Sequence, residues 1–218
     1  MSNSVKRRHV AGQKENSMNR ERSLEERRKD WQSRLAEERR DCLMADEAGQ
    51  AEAMSAYLAL LSSEQRASEM VSLLQTASPK TVLSVFMEWW PNCDNTWEHR
   101  VPLLNLLQKA SRRAKVTLHF SEEQRAFFES LPDILTIYRG CTRQKVHGIS
   151  WSTDIEIAQQ FAHGHRQIAV IDPVIVTAEV ARDNILAVIT TRSEQEIICS
   201  PSRILKVEDF TEAKAVPA

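Results

Sequence analysis

Signals that start helices crowd the first 132 residues of this 218-residue chain. Ser23 with Glu26, Ser62 with Gln65 and Ser121 with Gln124 each read as a capping box, in which two side chains satisfy otherwise free backbone N–H groups. Ser78-Pro79 supplies a cap followed by a first-turn proline. A chain punctuated in this way is committed to short helices. After about Asp133 the character changes. Ile134 to Tyr138 alternates and favours β structure, and Ile168–Ile171, Val174–Val180, Glu196–Cys199 and Arg203–Val207 also read as short strands. Of the five glycines, Gly140, Gly148 and Gly164 fall here. Glycine marks tight turns and close backbone approach to ligands. The pattern predicts an α+β chain, with a helical part followed by a compact β-rich part.

The expected organisation is a mobile basic arm at 1–22, a helical region at 23–132, a β-rich core at 133–210 and a short tail at 211–218. The first helix is highly charged. Leu24, Trp31, Leu35 and Cys42 give it one narrow apolar stripe. An amphipathic stretch, Met54–Leu61, follows. The helix opened by Ser62 carries Met70, Val71, Leu73 and Leu74. Thr81–Trp90 reads as another helix, broken by Pro91-Asn92. Trp97 to about Arg113 places Leu103, Leu104, Leu106 and Leu107 in a core, with Pro102 in its first turn or kinking it. The helix opened by Ser121 ends near Leu131-Pro132. Residues 62–67 and 121–126 look alike, but their flanks do not match, so no repeat is assigned.

Formal net charge is −1. The chain as a whole is therefore not a strongly basic nucleic-acid binder. The first forty residues nevertheless carry an excess of Lys and Arg, which suits either an anionic partner or a solvated charged helix. The four cysteines form no CxxC pair, and no histidine cluster completes a zinc site, so reduced thiols and no metal are expected. The N-terminus has no apolar leader segment, and no apolar run is long enough to span a bilayer. A cytoplasmic protein with no membrane partner is the expectation.

Three short motifs in the β-rich part carry chemistry. Tyr138-Arg139-Gly140 ends the first strand. A guanidinium there is always charged, and its planar fork matches phosphate oxygens, although alone it could be a surface arginine. Ser150-Trp151-Ser152 precedes a helix at Asp154–Ala162, with Ile155, Ile157, Ala158 and Phe161 on one side. Taken alone, Ser152, Thr153 and Asp154 are simply good N-caps. Glu194-Gln195-Glu196 enters a strand. Residues two apart in a strand face the same way, so both carboxylates would point into one cleft. Such a pair repels, and a solvent-facing edge strand is the plain alternative.

In this order the motifs resemble the arginine–serine–glutamate class of ADP-ribosyltransferases, over roughly Ile134 to Phe210. The resemblance implies a split β-sandwich fold and NAD as substrate. It assigns Arg139 to the NAD phosphate and ribose side, Ser150 to the nicotinamide ribose and to bracing the catalytic glutamate, and Ser152 to backbone groups. Gly140 would let the backbone pass close to the dinucleotide. Tyr138 and Trp151 join the NAD-binding set, with Trp151 expected to pack under the sheet. Glu196 would stabilise an oxocarbenium-like ion, by the electrostatic logic of glycosidases, and Glu194 would ready the acceptor. The loop Thr190–Ser193 would recognise the acceptor.

Only eleven positions separate Arg139 from Ser150. Many toxin members have a longer helical insertion there, so the N-terminal helices are expected to supply the missing wall. The implied activity is mono-ADP-ribosyl transfer to a macromolecule, with protein arginine first. Transfer to RNA or DNA, as an intracellular toxin or anti-phage effector, is the alternative. A non-catalytic NAD-binding or interaction module is the alternative of another class. His147, His163 and His165 read as loop residues, with His147 a weaker NAD contact.

Overall fold

The computed structural model describes residues 23–112, 116–164, 170–191 and 195–210. The expected arm at 1–22 and tail at 211–218 lie outside the described residues. The chain divides into two compact units, Met1–Met44 and Ala45–Ala218. In the first, helix α1 spans Leu24–Met44. Its capping box is formed. Ser23 N donates to Glu26 Oε2 at 2.8 Å, and Glu26 N donates to Ser23 Oγ at 3.2 Å. Acidic and basic side chains are balanced along α1. The basic excess of the first forty residues therefore belongs to the segment before the helix.

The second unit begins with helices α2 (Gln50–Ala59), α3 (Ser63–Leu74) and α4 (Pro79–Trp89), followed by a 3-10 turn at Trp90–Asn92. Helices α5 (Arg100–Ser111) and α6 (Glu122–Ser130) come next. The expected caps set these boundaries. Ser78 Oγ accepts from Thr81 N at the start of α4, with Pro79 in the first turn. Ser121 and Gln124 exchange both bonds of their capping box at the start of α6. Pro102 lies in the first turn of α5, where it removes no intrahelical bond.

The β-rich part contains β1 (Ile134–Thr142), β2 (Ser150–Ser152), helix α7 (Ile155–His163), β3 (Pro173–Ala181), β4 (Ile185–Ile189), β5 (Glu196–Cys199) and β6 (Arg203–Asp209). The strands form one antiparallel six-stranded sheet in the order β4-β5-β2-β1-β3-β6. β1 and β3 pair along their whole length, from Ile134↔Ala181 to Thr142↔Pro173. By contrast, β1 and β2 share the single register pair Tyr138↔Ser152. Two three-stranded halves thus meet at one point.

Alternation along the strands builds a core on each face. Leu135, Ile137 and Cys141 of β1, with Val174, Val176, Ala178 and Val180 of β3, form the larger core, against which Met87 of α4 and Phe127 and Phe128 of α6 pack. Burying each such aliphatic side chain contributes about 1.5–3 kcal/mol. Helices α4 and α6 are therefore part of the sheet's core, and the change of character near Asp133 is a change of secondary structure within one unit. On the other face Ala158 and Ala162 of α7 pack with Ile175 and Tyr138. A Cβ on Gly140 would lie 1.7 Å from the carbonyl oxygen of Ala158 and 2.6 Å from Ala162 N. Only glycine lets the helix backbone rest on β1 there.

Two strand expectations differ from the fold. Ile168 and Ala169 lie outside the described residues, and Val170 and Ile171 are not strand. Asp172 has a φ of 51°, and this left-handed turn delays the ladder until Pro173. Strand β4 was not anticipated. All five of its residues are buried. A strand covered on both faces loses the period-two signal by which strands are recognised.

Candidate active site

Strand pairing brings the serine and glutamate motifs together. β2 and β5 run antiparallel with Ser150↔Ile198 and Ser152↔Glu196 in register. Ser150 and Ser152 thus share the face of Glu196. Ser150 Oγ donates to Glu196 Oε1 at 2.6 Å. The same oxygen accepts a second bond, from the indole Nε1 of Trp90 at 2.7 Å. Glu196 is 9% exposed and Trp90 6%. Buried carboxylates require such donors, because an unpaired buried charge is costly.

Arg139 lies on the larger-core face of β1, between Ile137 and Cys141. Its Nη1 donates to the Ser150 carbonyl at 2.7 Å, and its Nε donates to the Lys145 carbonyl at 3.3 Å. These two bonds tie the end of β1 to both ends of the segment that leads into β2. Burial lowers the Arg139 pKa from its ordinary value. Cys141 and Glu196 oppose that shift, and the charge of Arg100 adds to it. An arginine remains charged throughout. The guanidinium rests on the backbone of Gly148, where a Cβ would lie 2.2 Å from Cζ and 2.6 Å from Nη2.

A cavity of about 240 Å³ opens beside these groups. The β-rich part lines it with Tyr138, Arg139, Gly140, Ser150, Ser152 and Glu196, together with Ile157 and Phe161 of α7. The opposite wall is Trp90, Pro91, Cys93, Asp94 and Thr96, the segment that follows α4. The segment that follows α4 therefore walls the cavity. That segment is bolted to α3. Arg66 donates through Nη1 to the Asn92 carbonyl at 3.0 Å and through Nε to the Leu58 carbonyl at 3.1 Å, and its guanidinium sits 5.0 Å from the Trp89 ring. Ser63 Oγ donates to Asp94 Oδ2 at 2.5 Å. Burial pushes the Cys93 thiol up to about 12, only partly offset by Arg66. At neutral pH it is a thiol and a poor nucleophile.

Nothing matches this chain among protein-family models, curated proteins or solved structures.

Most residues singled out from the sequence meet at this one place. Arg139, Ser150 and Glu196 converge, and Tyr138 and Ser152 line the same cavity. Ser152 Oγ accepts from Asp154 N at 3.0 Å, while Asp154 itself caps α7 through Glu156 N at 2.8 Å. Trp151 packs under the sheet, 2% exposed, with its Nε1 donating to the Gly148 carbonyl. Gly140 lines the cavity too, and its missing side chain also makes room for α7.

Glu194 lies outside the described residues, as do Arg192 and Ser193 of the expected recognition loop. Gln195, between the two glutamates, has a φ of 45°, outside strand geometry. Gln195 Oε1 accepts from Thr153 Oγ1 at 2.9 Å. His147 lies on a different cavity, with Arg100 and Ser202. His163 stacks edge-on against Phe210, and His165 is outside the described residues.

Sequence reasoning missed Trp90, Cys93, Asp94 and Thr96. Tryptophans 89 and 90 precede Pro91, and that pairing at a helix end was the one available signal. Gly148 was marked for close backbone approach, but its neighbour is the Arg139 side chain. Among the described residues no group of three or more His, Cys, Asp or Glu side chains could hold a metal ion, and no helix is long and apolar enough to cross a membrane. None of the four cysteines is in a disulfide.

Proposed function

We propose that this chain transfers ADP-ribose from NAD to a macromolecular acceptor, acting in the cytoplasm. One observation carries the reading. Arg139, Ser150 and Glu196 line one cavity although Glu196 lies 46 positions beyond Ser150, and Ser150 braces Glu196 at 2.6 Å. The sheet supports it as well, since two three-stranded halves joined by the single pair Tyr138↔Ser152 suit a split β-sandwich.

In this reading the NAD diphosphate lies on the Arg139 side, and the nicotinamide ribose lies against Ser150 and Glu196. The cavity of about 240 Å³ is smaller than the roughly 300–1,000 Å³ of pockets that enclose a whole drug-sized ligand. It suits the nicotinamide ribose end. The glycosidic C–N bond breaks with its electron pair passing to the pyridinium nitrogen, so nicotinamide leaves neutral. Positive charge develops on the ribose, and the carboxylate of Glu196 stabilises it. Preorganised groups of this kind are typically worth about 10²–10³ in rate. The acceptor then bonds to the ribose carbon and gives up a proton, for which Glu194 is the assigned base.

Protein arginine is the preferred acceptor. Asp94 and Glu196 both line the cavity, and two carboxylates favour a cationic acceptor over a phosphate-bearing one. The test is to incubate the protein with labelled NAD and a cell extract. Label that resists nuclease and is lost with protease is the expected result. Label lost with nuclease would move the acceptor to RNA or DNA. No nicotinamide release with any extract would overturn the transferase and favour a non-catalytic module.

A further inference from the structure

The donors on Glu196 come from two different parts of the fold. Ser150 belongs to the neighbouring strand, whereas Trp90 lies 106 positions away, on the turn that ends α4. Both donate to Oε1. The two differ chemically. A serine hydroxyl is donor and acceptor and rotates to suit, whereas an indole N–H is a donor only. Trp90 therefore holds Oε1 as an acceptor.

The indole is itself held. Its ring stacks on Phe86, with centroids 5.0 Å apart and planes 22° apart. Cys93 N donates to the Trp90 carbonyl at 3.1 Å, and Arg66 secures the next turn through Asn92. Asp94 is held to Ser63 at both backbone and side chain. The turn that carries Trp90 is thus anchored on both sides of the indole, and the acceptor its N–H finds is the Glu196 carboxylate.

We propose that Trp90 is a positioning residue for Glu196, which makes the helical segment 45–112 part of the catalytic unit. This rests on the transferase reading above. Glu196 must face the ribose as charge develops, and small errors in such placement cost rate even when binding survives. The donor from the neighbouring strand, Ser150 Oγ, is a hydroxyl that rotates, so the indole N–H adds the fixed direction.

The experiment compares the full chain with two variants, Trp90→Phe and a chain carrying β-(3-benzothienyl)alanine at position 90. The second keeps the shape of tryptophan with sulfur in place of N–H, so it serves even where phenylalanine leaves a packing defect. Nicotinamide release, NAD affinity and the urea midpoint are measured for each. The expected result is a kcat lower by about 10- to 100-fold with NAD affinity close to that of the unaltered chain, the lost bond to Glu196 lowering the urea midpoint while the chain stays folded under assay conditions. Unchanged kcat in both variants overturns the positioning role and leaves the transferase standing. Lost NAD affinity at unchanged kcat also overturns it, because Trp90 is then only a wall. An unaltered chain that neither binds NAD nor releases nicotinamide overturns the transferase reading and this role together.

Discussion

The guanidinium of Arg139 occupies the space that a side chain on residue 148 would need, with Cζ only 2.2 Å from the position of a Cβ on Gly148. The arginine's two carbonyl bonds, to Ser150 and Lys145, hold it there. Gly148 is thus a condition for placing the Arg139 guanidinium.

Gly148→Ala should displace Arg139 and cut its bond to the Ser150 carbonyl. Charge-assisted hydrogen bonds are worth about 1.5–3 kcal/mol. NAD affinity should therefore fall by about 10- to 100-fold, as read by calorimetry. Arg139→Lys should lose a similar factor, because an ammonium cannot reproduce the planar fork. Wild-type affinity in both variants would remove Arg139 from the NAD site.

Glu196→Ala should lower nicotinamide release by at least about 10²–10³-fold, for both transfer and NAD hydrolysis. Glu194→Ala should lose transfer and keep some hydrolysis. Kinetics with and without acceptor separate the two. Hydrolysis retained in Glu196→Ala would sink the assignment of that residue.

Gly140→Ala should act on stability. Helix α7 would have to lift off β1 to admit the methyl group, and overpacking of this kind costs about 1–3 kcal/mol. Urea unfolding should show a lower midpoint for Gly140→Ala. A midpoint unchanged from the parent chain would mean that α7 does not rest on Gly140.

The alkaline side of the stability profile should bend at the cysteines. Burial holds Cys199 at about 12 and Cys93 at about 12, both above the ordinary value of 9.0. The folded state keeps these protons after the unfolded chain has released them. Their contribution is complete below pH 9 and is lost as pH rises towards 12. Cys199→Ala should flatten the decline in urea stability between pH 9 and 11, and an unchanged slope would count against a buried thiol there.

Much of the local structure was legible in the residues. The capping pairs Ser23/Glu26 and Ser121/Gln124 form as read, because a cap is satisfied within three residues and needs no distant partner. The alternation of β1 and β3 was equally readable, since one face of each strand is buried more deeply than the other. β4 was not, because burial on both faces erases the alternation. The left-handed Gln195 was not readable either, because nothing in Glu-Gln-Glu announces such a turn.

The sequence by itself determined the helical start of the chain, its β-rich end, and the order in which Arg139, Ser150 and Glu196 occur. Those properties depend on neighbours a few positions apart. Only the tertiary structure decided that Trp90 reaches Glu196 across 106 positions, that Gly148 makes room for Arg139, and that Gly140 makes room for α7. Each is a contact between separate elements. Such contacts follow from how the elements pack, which no local period in the chain records.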